Sequence, residues 1–273
     1  MGLYVFPNTF TAFHFDDKVA QKSLLEGIDS HLVPTWVFYS KEDALSWAKK
    51  TSYPKVFKLR RGAASTNVKL VKSQEEAFNL IQLMFKRGIS PVPSSMQRLK
   101  QGFRRSASGS AFGAKLMRLP KYFFSHMQTK SQFPRERGYA YFQEYLRNNQ
   151  YDIRVTIIGN RAFAFRRQVR PGDFRASGSG RIEYYNPGEG DLSAIEIAFD
   201  LTSQLKFQAM AFDFLIDHES GERCIVELSY VFDDNAVFQC PGYFNRDLKW
   251  YNGHVWPQDA ILEDVITALN QSC

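Results

Sequence analysis

The chain has 273 residues, 44% hydrophobic and 15% aromatic, which is enough to bury a core in one domain or two lobes. It has no run of about 18 apolar residues, which excludes a membrane-spanning helix, and its opening MGLYVFPNTF lacks the order of a secretion signal, so a cytoplasmic setting is expected. The net charge of +7 is concentrated: Ala77 to Arg135 holds eleven Lys or Arg and no Asp or Glu. Such a block attracts polyanions. The block reads either as a solvated, partly disordered insertion or as a surface for nucleic acid, acidic lipid, or an acidic glycan or peptide; it carries no RNA-binding signature of stacking aromatics or zinc knuckles, which disfavours nucleic acid. The three cysteines, Cys224, Cys240 and Cys273, are widely spaced and form no zinc pattern.

In chain order, residues 16–28 read as a helix with an acidic start. LVPTWVFY is an extended segment entered through Pro34, and 41–50 is a second helix. Lys55–Leu59 is a strand followed by the loop RRGAASTNV, and Val68–Val71 is the next strand. Ser73 caps a helix beginning QEEAF, with Glu76 completing a capping box. The segment SSMQRLKQGFRRSASGSAFGAK, rich in Ser, Gly and basic residues, reads as a mobile loop within an insertion spanning 88–135. Gly138–Leu146 is a strand. Asp152–Ile158 and Arg161–Arg167 form a hairpin through Gly159-Asn160. RPGDFRASGSG is a loop, Ser193–Gln208 a helix, and 257–270 a terminal helix with Pro257 near its start. This is an α+β chain of two lobes with a joint near residues 143–146.

The most informative segment is a second hairpin. Ala211–Ile216 is apolar except for Asp213, and Cys224–Ser229 is apolar except for Glu227 and Ser229. The polar run DHESGER between them reads as a turn. Folded symmetrically about Ser220, Asp213 faces Glu227, and Ser229 shares the face of Glu227. Opposed like charges destabilise a sheet, so the pattern implies either a cation between them or a hairpin whose acids face water. Carboxylate oxygens suit a hard ion such as Mg²⁺, usually one that carries phosphates.

Five segments carry a resemblance because of their order: D-D-K-V-A-Q-K-S-L-L with V-P-T; K-V-F-K-L with a small-residue loop and N-V; F-Q-E-Y-L with D-I-R-V; P-G-D-F-R-A-S-G-S-G; and D-F-L-I with V-E-L-S. Across Asp16 to Ser229 the chain resembles the ATP-grasp superfamily. It is most similar to carboxylate–amine ligases that add glutamate to ribosomal protein, and more distantly to D-alanine–D-alanine ligase. E-L-S-Y and C-P-G-Y also look like ATP-grasp proteins of surface-polysaccharide clusters.

The resemblance implies an ATP-grasp fold, two α+β lobes clasping a nucleotide. Residues 1–15 would be a remnant, 16–142 the N-terminal lobe carrying the basic insertion, and 143–273 the C-terminal lobe with the metal hairpin. Family members carry a further domain of about one hundred residues before the first helix; here fifteen residues precede Asp16. The cofactors implied are ATP and Mg²⁺. Lys18 and Lys58 match the ATP lysines. Gly62 and Ser65 lie in the loop over the phosphates, where Gly62 stands alone among the glycines usual there. Glu144 and Tyr145 match the adenine hinge, Asp152 the ribose acid, and Ser177 a position near the phosphates where relatives have Asn. Arg175 is expected beside the γ-phosphate, and Arg154 or Arg166 on the carboxylate substrate, since guanidinium groups grip carboxylate and phosphate with two prongs. Asp213, Glu227 and Ser229 match the Mg²⁺ ligands, with Ser229 where Asn is usual; Asp233, Asp234 and Asn235 follow as spare oxygen donors or as a turn. The implied activity is ATP-dependent carboxylate–amine ligation through an acyl-phosphate. A kinase using the same nucleotide site and a nucleotide binder without catalysis remain open.

Overall fold

The computed structural model describes residues 4–62, 67–91 and 134–271. Ser65, Cys273 and most of the basic insertion lie outside them. The described chain divides into two compact units, which meet in sequence at Val33–Pro34 and at Tyr145–Leu146. Two helices open the chain, α1 (Thr9–Ala12) and α2 (Lys18–Gly27). Both belong to the same unit as residues 146–271, whereas the sequence reading placed α2 in a lobe of 16–142.

The unit of residues 34–145 is built on four antiparallel strands: β1 (Thr35–Phe38), β2 (Lys55–Lys58), β3 (Lys69–Val71) and β4 (Ala140–Glu144), in the order β1-β4-β2-β3. Two helices accompany them, α3 (Lys41–Lys50) and α4 (Gln74–Lys86). Ser40 caps α3 by accepting the Asp43 N–H at 3.2 Å, and Ser73 caps α4 by accepting the Glu76 N–H at 3.3 Å. The Glu76 carboxylate reaches back to the N–H of Lys72 at 2.7 Å, one residue before the cap. Trp47 of α3 packs on Phe142 of β4 with ring centres 4.8 Å apart, and Phe142 meets Phe57 of β2 at 5.6 Å. These rings bury the centre of the sheet, so β2 and β4 can hold lysine and glutamine side chains in fixed places.

The other unit carries a seven-stranded sheet. Its strands are β5 (Tyr151–Ile158), β6 (Arg161–Gln168), β7 (Ile182–Tyr184), β8 (Ala209–Ile216), β9 (Arg223–Ser229), β10 (Gly242–Phe244) and β11 (Trp250–Asn252). The order is β11-β10-β6-β5-β8-β9, with β7 on β6. One face packs α5 (Leu192–Gln204): Ile153, Val155 and Ile157 alternate on β5, and Met210, Phe212 and Phe214 on β8, against Ile195, Ala198 and Phe199. The opposite face is apolar at one end, where Phe163 and Phe165 meet α6 (Asp234–Phe238) and α7 (Pro257–Gln271) through Ala236, Val237 and Ala260. Further along the same strands that face turns polar.

The β5–β6 turn sets which residues share a face. Gly159 takes φ 55°, and Ile158 pairs with Arg161 across it. A Cβ at Gly159 would lie 2.1 Å from the Asp264 carboxylate, which α7 holds there through Arg161 at 2.8 Å. Gly159→Ala should therefore lower stability by about 1–3 kcal/mol, read as a lower urea midpoint with an unchanged slope.

Candidate functional site

Period-two alternation from the β5–β6 hairpin places Asp152, Arg154 and Arg167 on the polar face, with Asp152 opposite Arg167 and Arg154 opposite Phe165. Strand β8 adds Asp213 opposite Arg154, and β9 adds Glu227 opposite Asp213. Arg154 donates Nε–H and Nη2–H to the two oxygens of Asp213 at 2.7 and 2.8 Å. Arg167 grips Asp152 in the same two-pronged way, at 2.7 and 2.6 Å, and its Nη2 also lies 2.7 Å from Asp213 Oδ2. Two arginines and two aspartates thus form one chain of ion pairs across three strands.

Lys18 completes the set. Asp17 caps α2 by accepting the N–H groups of Val19 and Ala20. One turn on, the Gln21 amide pairs with both backbone groups of Leu228, its Nε2 donating to the carbonyl at 2.8 Å and its Oε1 accepting the N–H at 3.1 Å. That pins α2 along the edge strand β9 and brings the buried Lys18 ammonium to 2.9 Å from Glu227. Three cations, Lys18, Arg154 and Arg167, face three carboxylates, Asp152, Asp213 and Glu227.

The electrostatics follow from who shares whom. Burial pushes the Asp213 carboxyl up, but Arg154 and Arg167 together outweigh it and hold it well below the usual carboxylate range. Asp152 has one direct guanidinium partner and the Asp213 charge nearby, so burial wins and its carboxyl is raised. Burial alone would depress the Arg167 guanidinium; the charges of Asp213 and Asp152 outweigh it and raise it above its ordinary value.

Two groups of expected site residues are placed differently from the rest. Arg166 projects from the other face of β6: it lies between the rings of Tyr151 and Tyr185, at 4.8 and 4.6 Å, and pairs with Glu183 at 3.3 Å. Arg167, which the sequence reading passed over, occupies the polar face instead. The expected metal ligands are also not assembled for a cation. Both Asp213 oxygens accept guanidinium N–H groups, and Glu227 is paired with Lys18. The Ser229 hydroxyl closes a turn, donating to the Val231 carbonyl at 2.7 Å and accepting its N–H at 3.2 Å. Asp233 caps α6 through Ala236, and Asp234 accepts from Gln258. Among the described residues no group of three His, Cys, Asp or Glu could hold a metal ion. As arranged, this donor set does not fit Mg²⁺, because a cation would have to displace guanidinium groups that are themselves largely buried.

In the loop after β6, Arg175 folds back on Asp173, with Nη2 to Oδ2 at 2.6 Å and Nε to Oδ1 at 2.9 Å. Burial would raise the Asp173 carboxyl, but Arg175 holds it below its ordinary value. The Ser177 carbonyl accepts from Arg170 at 2.6 Å.

The unit of residues 34–145 carries its own buried cations. Lys58, at the end of β2, donates to the Gln143 side chain at 2.6 Å, and Gln143 in turn donates to Thr35 at 3.1 Å. Lys55, the other polar end of β2, reaches Glu144 at 2.9 Å and lies over the Trp36 ring. The Glu144 N–H donates to the Pro34 carbonyl at 2.8 Å, and the Tyr145 N–H to the Glu144 side chain at 3.1 Å. Gly62 takes φ 129° just beyond β2, a conformation that suits glycine.

No protein-family model and no curated protein matches the chain. Solved structures do. The ATP-grasp ligase PsnB, solved with a phosphomimetic variant of its minimal precursor, Mg and ADP, superposes with a TM-score of 0.54 over 97% of this chain and 63% of its own, at 14% identity. The chain has the ATP-grasp fold. The macrocyclase MdnC from Microcystis aeruginosa MRC, bound to precursor peptide MdnA, gives 0.53 over 98% of this chain and 64% of its own, at 12% identity. The D-alanine–D-alanine ligase of Bacillus anthracis gives 0.51 over 97% and 72%, at 12% identity. The chain thus spans about two thirds of the length of these ATP-grasp proteins. Among its described residues, no helix is long and apolar enough to cross a membrane.

Proposed function

We propose that the protein is an ATP-dependent carboxylate–amine ligase. The observation that carries this reading is the row of alternating cations and carboxylates on one sheet face of an ATP-grasp fold. Ion pairs of this kind can exchange: a phosphate or substrate carboxylate takes the place of Asp213 or Asp152 on Arg154 and Arg167 with the same two-pronged geometry. In the other unit, Lys58 is the compact point charge suited to a phosphate oxygen, with Gly62 following it. Glu144 and Tyr145 are assigned to the adenine, Asp152 to the ribose, Ser177 to a place near the phosphates and Arg175 to the γ-phosphate. Ser65 belongs to the phosphate loop in this reading.

In the proposed reaction, a substrate carboxylate oxygen attacks the γ-phosphorus and ADP leaves. An amine nitrogen then attacks the acyl carbon, phosphate leaves, and the nitrogen loses a proton. The protein's share is positioning and charge neutralisation. Lys18, Arg154 and Arg167 supply positive charge where negative charge gathers. No step is assigned to a metal at Asp213, Glu227 and Ser229. A peptide or a surface glycan bearing a carboxylate fits the reading as substrate, in a cytoplasmic setting.

A second reading, a nucleotide binder without turnover, is favoured by the clamp on Asp213. One experiment separates the two: ADP release measured with ATP, a peptide and glycan carboxylate panel, and an amine, with and without Mg²⁺. The ligase reading expects release that needs both carboxylate and amine. ATP binding with no release across the panel supports the binder. Lys58→Ala should abolish the rise in melting temperature that ATP gives by mass action; ATP stabilisation equal to wild type would overturn the nucleotide site itself.

A further inference from the structure

Beyond Lys58 the chain leaves β2 through Leu59, Arg60 and Arg61, and two consecutive backbone N–H groups there point at one carboxylate. The Arg61 N–H donates to Glu136 Oε1 at 3.2 Å, and the Arg60 N–H is shared between Glu136 Oε2 at 3.0 Å and the Tyr139 hydroxyl at 2.6 Å. The Tyr139 hydroxyl also hydrogen-bonds Glu136. Successive backbone N–H groups converging on one anion make the concave nest that elsewhere holds phosphate. Here the anion is the protein's own.

The carboxylate is held in place from behind. Glu136 exchanges both backbone hydrogen bonds with Ile89, at 2.9 and 2.8 Å, and the Gly138 N–H donates to Met84 at the end of α4 at 3.0 Å. Arg135 donates to the carbonyls of Arg87 and Gly88 at 2.7 and 2.5 Å. Gly88, at φ 66°, allows this approach, since a Cβ there would lie 2.3 Å from the Glu136 carbonyl oxygen. Arg60 and Arg61 are exposed residues whose N–H groups water would satisfy, so chain folding alone does not demand a carboxylate there. Glu136 is also the first acidic residue after the run from Ala77 to Arg135 that has none.

We propose that Arg60 N–H, Arg61 N–H and the Tyr139 hydroxyl form an oxyanion site for a polyphosphate, and that Glu136 is its built-in competitor. A terminal phosphate must displace the carboxylate to bind, so the protein holds the site closed against weaker anions and opens it to a multiply charged one. The identity of the polyphosphate as ATP rests on the nucleotide reading above; the anion site itself does not.

The test is calorimetric titration of wild type, Glu136→Gln, Glu136→Ala and Glu136→Asp with ATP, inorganic tripolyphosphate and adenosine. Two charge-removing variants keep the result independent of how well one of them folds. ATP and tripolyphosphate should bind about tenfold more tightly to the Gln and Ala variants, a shift of about 1.4 kcal/mol. The Asp variant should stay within about twofold of wild type, since the charge remains, and adenosine should show no change. Tripolyphosphate binding that is equal or weaker in both charge-removing variants overturns the proposal, because Glu136 would then only support the loop. Tightened tripolyphosphate with no ATP binding keeps the anion site and defeats the nucleotide reading. Absence of binding by both phosphates in every variant defeats both.

Discussion

Replacing Arg167 with methionine should destabilise the protein by about 3–5 kcal/mol, while the same change at its neighbour Arg166 should cost about 1 kcal/mol or less. The Arg167 side chain is 10% exposed and serves two buried carboxylates at once. Methionine removes both hydrogen bonds that Asp152 accepts from Arg167 and one of the two guanidinium groups on Asp213. Arg166 lies on the other face, stacked between two tyrosines and paired with a Glu183 side chain that is 51% exposed, where water screens most of the pair.

The pH dependence separates a lost ion pair from lost packing. Asp152 is already raised by burial, and without Arg167 it rises further. A carboxyl raised in the folded state favours folding when protonated, and that contribution fades as pH climbs through the folded value. Arg167→Met should therefore lose less stability at pH 5 than at pH 8, measured by urea unfolding at both. Equal losses at the two pH values would mean that Asp152 does not carry the cost.

Which arginine joins the polar face was legible in the sequence. The two-residue loop Gly159-Asn160 fixes Ile158 against Arg161, and counting outward puts Asp152 against Arg167 and Arg154 against Phe165. Arg166 then falls on the α5 face with Ile153. Residue type alone does not separate Arg166 from Arg167; strand parity does.

The acidic hairpin shows where counting stops working. Symmetry about Ser220 pairs Asp213 with Glu227, as observed, but it also pairs Phe214 with Val226. In the structure Phe214 faces Ile225, and the strands slip by one residue between Asp213 and Phe214. The cause is packing. Ile225 and Leu228 both enter the core under α5, and residues three apart share a face only if a bulge intervenes. Cys224, Ile225 and Val226 are all apolar, so no local pattern says which one yields. The attachment of α2 is hidden for a different reason. Gln21 binds the backbone of Leu228, 207 residues away, and any strand edge presents the same groups. Lys18 could be picked out by resemblance, but that its partner is Glu227 depends on this docking, which no spacing encodes.

Asp213→Asn should flatten the acid side of the stability curve. In wild type, Arg154 and Arg167 overcome burial and hold the Asp213 carboxyl well below its ordinary value of 3.8. The unfolded chain therefore takes up a proton at a pH where the folded one does not, so this stability is fully present above pH 3.8 and drains away as pH falls below it. The amide that replaces the carboxylate has no proton to gain. At pH 7 the variant should be less stable than wild type by about 3–5 kcal/mol, since two largely buried guanidinium groups lose their shared anion. That gap should narrow steadily on acidification. Parallel curves from pH 7 to the acid transition would show that Asp213 is not the counter-ion the geometry makes it. The same pair of proteins tests the misfit with Mg²⁺. A carboxylate kept open for a cation would let MgCl₂ alone raise the wild-type midpoint and leave the variant unmoved. With both oxygens already held by guanidinium groups, MgCl₂ without nucleotide should shift neither, because the ion would have to separate two buried ion pairs before it gained one of its own.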